Sequence, residues 1–127
     1  MEFPDELRYS DDHEWVRVDN DTVVVGISAY AVEQLGDIVF VELPNVGATF
    51  ATGDTFGVVE SSKAASDLFC PAAGEIVETN EAFEERPELV NEDPYGDGWI
   101  VRLRFEDAGQ VSGLKDAEAY RKMIAEK

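Results

Sequence analysis

The feature that most restricts the folds open to this chain is how often it is interrupted. Its apolar stretches are short, and each is soon closed by Asn, Asp, Gly or Pro. Residues 15–27 read WVRVDNDTVVVGI, two apolar arms around Asp19-Asn20-Asp21, the pattern of a tight hairpin. Further strand-like segments cover 37–43, 55–60, 64–70, 75–79 and 99–105, with turns at 44–47, 52–54, 71–74 and 94–98. In 37–43, strict alternation would place Ile38, Phe40 and Glu42 on one face and Val39, Val41 and Leu43 on the other. In 99–105 it would line up Trp99, Val101, Leu103 and Phe105.

Helices fit only between or after these strands. Ser28 can cap a helix over 29–35 that Gly36 ends, and 81–89 is helical in part until Pro87 interrupts it. The tail 116–126 has Ala117, Tyr120 and Ile124 at core-facing helical spacing. Many short strands with helices added at the ends predict a mainly β fold, a small sandwich or barrel.

The 127 residues suit a single domain, 1–127, that buries roughly two-thirds of its unfolded surface. A formal net charge of −18 would repel phosphate backbones and anionic lipid, so neither nucleic acid nor a membrane surface is an expected partner. The acidic, lysine-poor composition suits a salt-rich cytoplasm, where screening weakens self-repulsion, and so predicts a halophilic prokaryote as the source. No run reaches the ~18 apolar residues of a membrane helix, and the opening MEFPDELRYS has no signal-like apolar stretch. The single cysteine, Cys70, excludes an internal disulfide, and a cytoplasmic location is expected.

Lys63 is the only lysine in the first 114 residues; Lys115, Lys122 and Lys127 follow near the end. It stands at the tip of GVVESSKAASDLFCPAAG, residues 57–74, where two strand-like arms meet at Ser61-Ser62-Lys63-Ala64. A solvated turn lysine is the plain reading of such a position. Arginine would solvate a turn equally well, and the chain prefers arginine elsewhere in this region. What arginine lacks is a primary amine able to form an ordinary amide, so the retained lysine points to acylation.

The residues 57–64 with Pro71 and Gly74 resemble the swinging-arm hairpin of lipoyl and biotinyl domains, in which a turn lysine is amidated by a cofactor. Biotin carriers flank that lysine with methionine; Ser62 and Ala64 favour lipoyl. Asp12-His13-Glu14-Trp15-Val16, Gly26-Ile27, the run 34–44, Glu60-Ser61, Asn91-Glu92-Asp93-Pro94-Tyr95 and Gly98-Trp99 together resemble the glycine cleavage H-protein family over residues 7–125. The resemblance implies a barrel-sandwich hybrid of the lipoyl/biotinyl type, bearing lipoic acid on Lys63 and catalysing nothing itself. It also implies partners: glycine decarboxylase, whose aminomethyl product the arm accepts; aminomethyltransferase, which removes it; and dihydrolipoamide dehydrogenase, which reoxidises the arm. A lipoate ligase or lipoyltransferase would attach the cofactor, with Glu60 as its recognition point.

A carrier of a cationic amine needs carboxylates beside its arm. By resemblance Glu14 is the first candidate and Asp67 the second; Asp12, at a position that is Ser in some family members, is a third. Ile27, Leu35 and Ala64 are the apolar supports. For each acid the plain reading is one more surface carboxylate of an acidic protein. His13 alone makes no metal site, which would want further nitrogen or sulfur ligands, and reads as positional. Cys70 reads as a small buried thiol, and Trp15, Tyr95, Trp99 and Phe105 as core. Gly57 and Gly74 are expected where the backbone needs latitude or close approach. Two further readings stay open: a lipoyl carrier of another pathway, such as sulfur oxidation or lipoyl relay, and an unmodified acidic binding module.

Overall fold

A computed structural model of the chain describes residues 2–126. The expected domain bounds, 1–127, take in Met1 and Lys127, which lie outside the described residues. The architecture is mainly β, in two antiparallel sheets, as the interrupted sequence predicts. The larger runs β1 (Arg8–Tyr9), β2 (Glu14–Asp19), β3 (Thr22–Ile27), β9 (Val101–Phe105), β8 (Gly74–Thr79) and β5 (Thr49–Phe50); the smaller runs β4 (Ile38–Glu42), β6 (Thr55–Ser61) and β7 (Ala65–Phe69).

The β2–β3 hairpin closes on Asn20-Asp21, with Asn20 in the left-handed region at φ 58° and Asp19 paired with Thr22. Strand β3 is buried along its whole length because both its edges and both its faces are covered. Val23, Val25 and Ile27 enter the main core between the sheets, while Val24 faces a second core with Trp15, Tyr9 and Tyr120. That second core explains why TVVVGI does not alternate with polar residues.

Helix α1 (Ala29–Leu35) starts on Ser28, whose hydroxyl accepts the Ala31 amide, and stops at Gly36, φ 80°, whose amide donates to the Val32 carbonyl. The region expected to be partly helical up to Pro87 is a 3-10 turn at Glu81–Glu84, followed beyond the proline by α2 (Leu89–Glu92). Helix α4 (Ala117–Ala125), capped by Asp116, buries Ala117 and Tyr120 on the second core. A short α3 (Ala108–Ser112) and the two-residue strands β1 and β5 had no sequence signal.

Two expectations of alternation fail. A register shift between Ile38 and Phe40 puts Ile38 and Val41 in the core together, leaving Val39 56% and Phe40 51% exposed. Trp99 precedes β9 instead of joining it and packs half-buried against the second core, so only Val101, Leu103 and Phe105 share a strand face. Gly57 and Gly74 do mark close approaches. A Cβ on Gly57 would stand 2.5 Å from the Glu42 carbonyl, and one on Gly74 would strike the Arg104 carbonyl.

Candidate functional site: the lysine turn and its cleft

Strands β6 and β7 pair from Thr55 to Ala65 and bring Ser61-Ser62-Lys63-Ala64 to an exposed tip. The Ser61 amide donates to the Ala64 carbonyl at 2.7 Å, and the Ser61 hydroxyl accepts the amides of Lys63 (3.3 Å) and Ala64 (3.0 Å). One serine thus closes the turn on both sides of Lys63. The Ser62 amide reaches the Asp37 carbonyl at 3.3 Å and ties the tip to the start of β4. The Lys63 side chain lies over Gly36: a Cβ there would be 3.2 Å from its Cε. A side chain at position 36 would therefore push the lysine away from α1.

Beside this point is a cleft of about 270 Å3 between α1, β7 and the loop before β2. Asp12, Glu14, Ile27, Leu35 and Asp67 all line it, so the fold gathers five of the sequence-selected residues from four separate segments. Ala64 and Glu60 are not among the lining residues. Ala64 stands in the turn next to Lys63, and Glu60 is exposed on β6 opposite Phe40. His13, Tyr30, Ala31 and Gln34 complete much of the remaining wall and were not singled out for it by sequence.

Glu14 is no surface acid; it is 1% exposed. Its Oε1 accepts the Ser10 hydroxyl at 2.9 Å and its Oε2 accepts the Phe69 amide at 3.1 Å. Burial pushes its carboxyl up to about 8; the bonds from Ser10 and Phe69 pull the other way, and Asp12 adds repulsion. Among the described residues no Lys or Arg pairs with it. A buried carboxyl held by two donors, with no Lys or Arg beside it, can accept a cation that enters the cleft.

The walls are fixed from outside. His13, at φ 70°, turns the loop back and shares a 2.8 Å hydrogen bond between Nδ1 and the Tyr120 hydroxyl, which in turn meets the Ser28 hydroxyl at 2.7 Å. Helix α4 thereby ties the loop wall to the cap of α1. The Asn91 side chain donates to the Gly36 carbonyl at 2.9 Å and accepts the Ile38 amide at 2.8 Å, pinning the end of α1 beside Lys63. The Tyr95 hydroxyl accepts the Ala29 amide, and the Trp15 indole donates to the Pro94 carbonyl. Trp15 is fully buried, whereas Tyr95 and Phe105 are half-buried at the rims of the two cores. Cys70 is buried, donates to the Ala72 carbonyl at 3.0 Å, and has its thiol pushed up to about 11 by burial, which leaves it a poor nucleophile.

Comparison with known proteins bears on this arrangement directly. The family model described as "Glycine cleavage H-protein" matches residues 7–127. This chain belongs to that family. The glycine cleavage system H protein of Bacteroides thetaiotaomicron is 56% identical over 124 residues, covering 98% of each chain. That of Pseudoalteromonas atlantica is 58% identical over 124 residues, covering 97% of this chain and 96% of the relative. The crystal structure of a glycine cleavage system H protein from Mycobacterium marinum superposes with a TM-score of 0.90 at 40% identity, covering 97% of this chain and 99% of the other. The two-sheet architecture is thus the H protein fold, the lipoyl-type barrel-sandwich expected from the hairpin. No helix is long and apolar enough to cross a membrane among the described residues.

Proposed function

We propose that this chain is the lipoyl-bearing carrier of a glycine cleavage system, with Lys63 as the attachment point. One observation carries the reading: the Lys63 side chain rests on Gly36, at the end of the helix that walls a cleft containing a buried, cation-lacking carboxyl. The residues fit the group. Lys63 is an exposed primary amine on a turn of small residues, and α1 and Ile27 offer an apolar wall beside it. When bound, the lipoyl group supplies a disulfide able to take up the aminomethyl remnant of glycine and to be returned as a dithiol.

The chain's own residues do the rest. Ser61 presents Lys63 to an attaching ligase or transferase, with Glu60 exposed beside it as the recognition point. Glu14, with Asp67 and Asp12 at the cleft, holds the cationic amine of the cargo, and the buried setting limits screening and water access. Leu35 and Ile27 support the arm, with Ala64 as a spacer beside the lysine. A tether of this kind raises the effective concentration of one cargo at several partner sites. The partners are glycine decarboxylase, aminomethyltransferase and dihydrolipoamide dehydrogenase, and the chain itself is a carrier and no enzyme. A cytoplasmic, salt-rich setting is a separate proposal supported by the −18 charge alone.

The deciding experiment is mass spectrometry of protein incubated with a lipoylating enzyme. One lipoyl group is expected, located on Lys63, and Lys63→Arg should take up none and fail to support glycine cleavage with the partner enzymes. Modification at another lysine, or activity in the arginine variant, would refute the assignment.

A further inference from the structure

Ser10 stands outside the cleft, in the wall behind it. It is 7% exposed and lines a second cavity of about 270 Å3, bounded among others by Thr52, Cys70 and Lys115. Its hydroxyl reaches through that wall to Glu14. Three contacts converge on the one oxygen: it accepts the amides of Glu14 (3.2 Å) and Asp12 (3.3 Å), and it donates to Glu14 Oε1 (2.9 Å). A serine hydroxyl is normally free to rotate and to choose between donating and accepting. Here two backbone amides occupy both lone pairs, so its proton has one destination. The oxygen is held by backbone as well. The Ser10 amide donates to the Glu14 carbonyl at 2.8 Å, and the His13 amide donates to the Ser10 carbonyl at 3.2 Å.

We propose that Ser10 is a positioning residue that donates its only proton to Glu14 and so fixes the Glu14 carboxyl as an anionic acceptor for the cleft. The inference deepens the carrier reading and rests on it for what the anion holds. With Ser10 on Oε1 and the Phe69 amide on Oε2, both carboxyl oxygens receive donors, and a protonated Glu14 must carry its own proton on an oxygen that already accepts one. Among the described residues, the other titratable groups facing Glu14 include no Lys or Arg. Asp12 and His13 come from its own loop, Asp67 and the Cys70 thiol from β7 and its end, Tyr30 from α1 and Tyr120 from α4. The two donors are therefore what oppose burial and Asp12, and Ser10 is the one that a substitution can remove.

The test reads Glu14 directly, by NMR of carboxyl-labelled glutamate in the unmodified carrier. Wild type should titrate near pH 8, as burial places it. Ser10→Ala should titrate about one pH unit higher, the displacement expected on losing a hydrogen bond to a charged group. Ser10→Thr keeps the hydroxyl, has the adjoining cavity for its methyl, and should return the midpoint to wild type. If Ser10→Ala does not fold, Ser10→Cys, whose thiol is a weaker donor, should move the midpoint in the same direction by less. A midpoint unchanged in either variant would overturn the proposal. In a second arm the lipoylated, cargo-loaded protein should lose its cargo several-fold faster in Ser10→Ala than in wild type at pH 7, with the difference vanishing where both are ionised. A shifted midpoint with equal loss rates would leave Ser10 as assigned and remove the role of the cleft in holding cargo.

Discussion

In the proposed carrier role Glu14 meets two opposed demands, since a buried anion holds a cation more strongly and burial disfavours the anion. Its folded value of about 8 against an ordinary 4.5 means that the folded state binds the extra proton between those pH values. Stability contributed by the protonated carboxyl is fully present below about pH 4.5 and is lost as pH rises through about 8. Each pH unit of displacement is worth about 1.4 kcal/mol, so the window amounts to a few kcal/mol. Glu14→Gln keeps the shape without the charge and should remove this part of the pH dependence. Urea midpoints measured from pH 5 to pH 9 check it; parallel profiles for the two proteins would contradict the assignment. Tyr120 is the second such residue. Its hydroxyl joins His13 to Ser28, and Ser28 is fully buried. Tyr120→Phe keeps the stacking on Tyr9 but takes the Tyr120 hydroxyl away from the buried Ser28 hydroxyl, and should cost about 1–3 kcal/mol in denaturant unfolding.

Among the elements, the β6–β7 hairpin depends on how closely it can lie on β4. Gly57 permits that approach, because a methyl there would meet the Glu42 carbonyl. Gly57→Ala should separate β4 from β6 at a cost of about 1–3 kcal/mol and move the turn bearing Lys63. It should therefore lower both the thermal midpoint and the rate of lipoylation. An unchanged lipoylation rate in a destabilised variant would separate the hairpin's geometry from its chemistry. Gly74 acts elsewhere. Its missing side chain faces the β9 backbone at Arg104, so Gly74→Val belongs to the pairing of β8 with β9 in the larger sheet. The hairpin pattern legible in the sequence located both glycines but not which sheet each one serves.

Charge is the whole-molecule variable. Asp and Glu number 28 against 10 Lys and Arg, and the ion pairs formed by Arg86, Arg104, Lys115, Arg121 and Lys122 all lie at exposed or partly exposed side chains. Such pairs contribute little each, so the unbalanced acids repel one another with little local relief. Raising KCl from ~0.1 M to ~1 M should screen that repulsion and raise Tm by about 5 °C, the equivalent of roughly 1 kcal/mol. Calorimetry over that range checks it, and a flat or falling Tm would show that the surface charge carries no net strain.

What the sequence alone determined were features whose physics is local or compositional. The Asn20-Asp21 turn, the Ser28 cap, the Gly36 stop and the small-residue turn at Lys63 each need only their neighbours to form. The mainly β class follows from the same punctuation. Assembly of the cleft was different. Asp12, Glu14, Ile27, Leu35 and Asp67 were legible as candidates only through family resemblance, because spacing along the chain does not bring four segments together. Ser10 carried no signal, since its role requires the loop to fold back at His13 with positive φ. The exposure of Phe40 came from a bulge that breaks the period of two, and the half-buried place of Trp99 from a strand that begins two residues later. Tertiary structure decided these points because burial, and with it the charge state of Glu14, is set by what other segments cover.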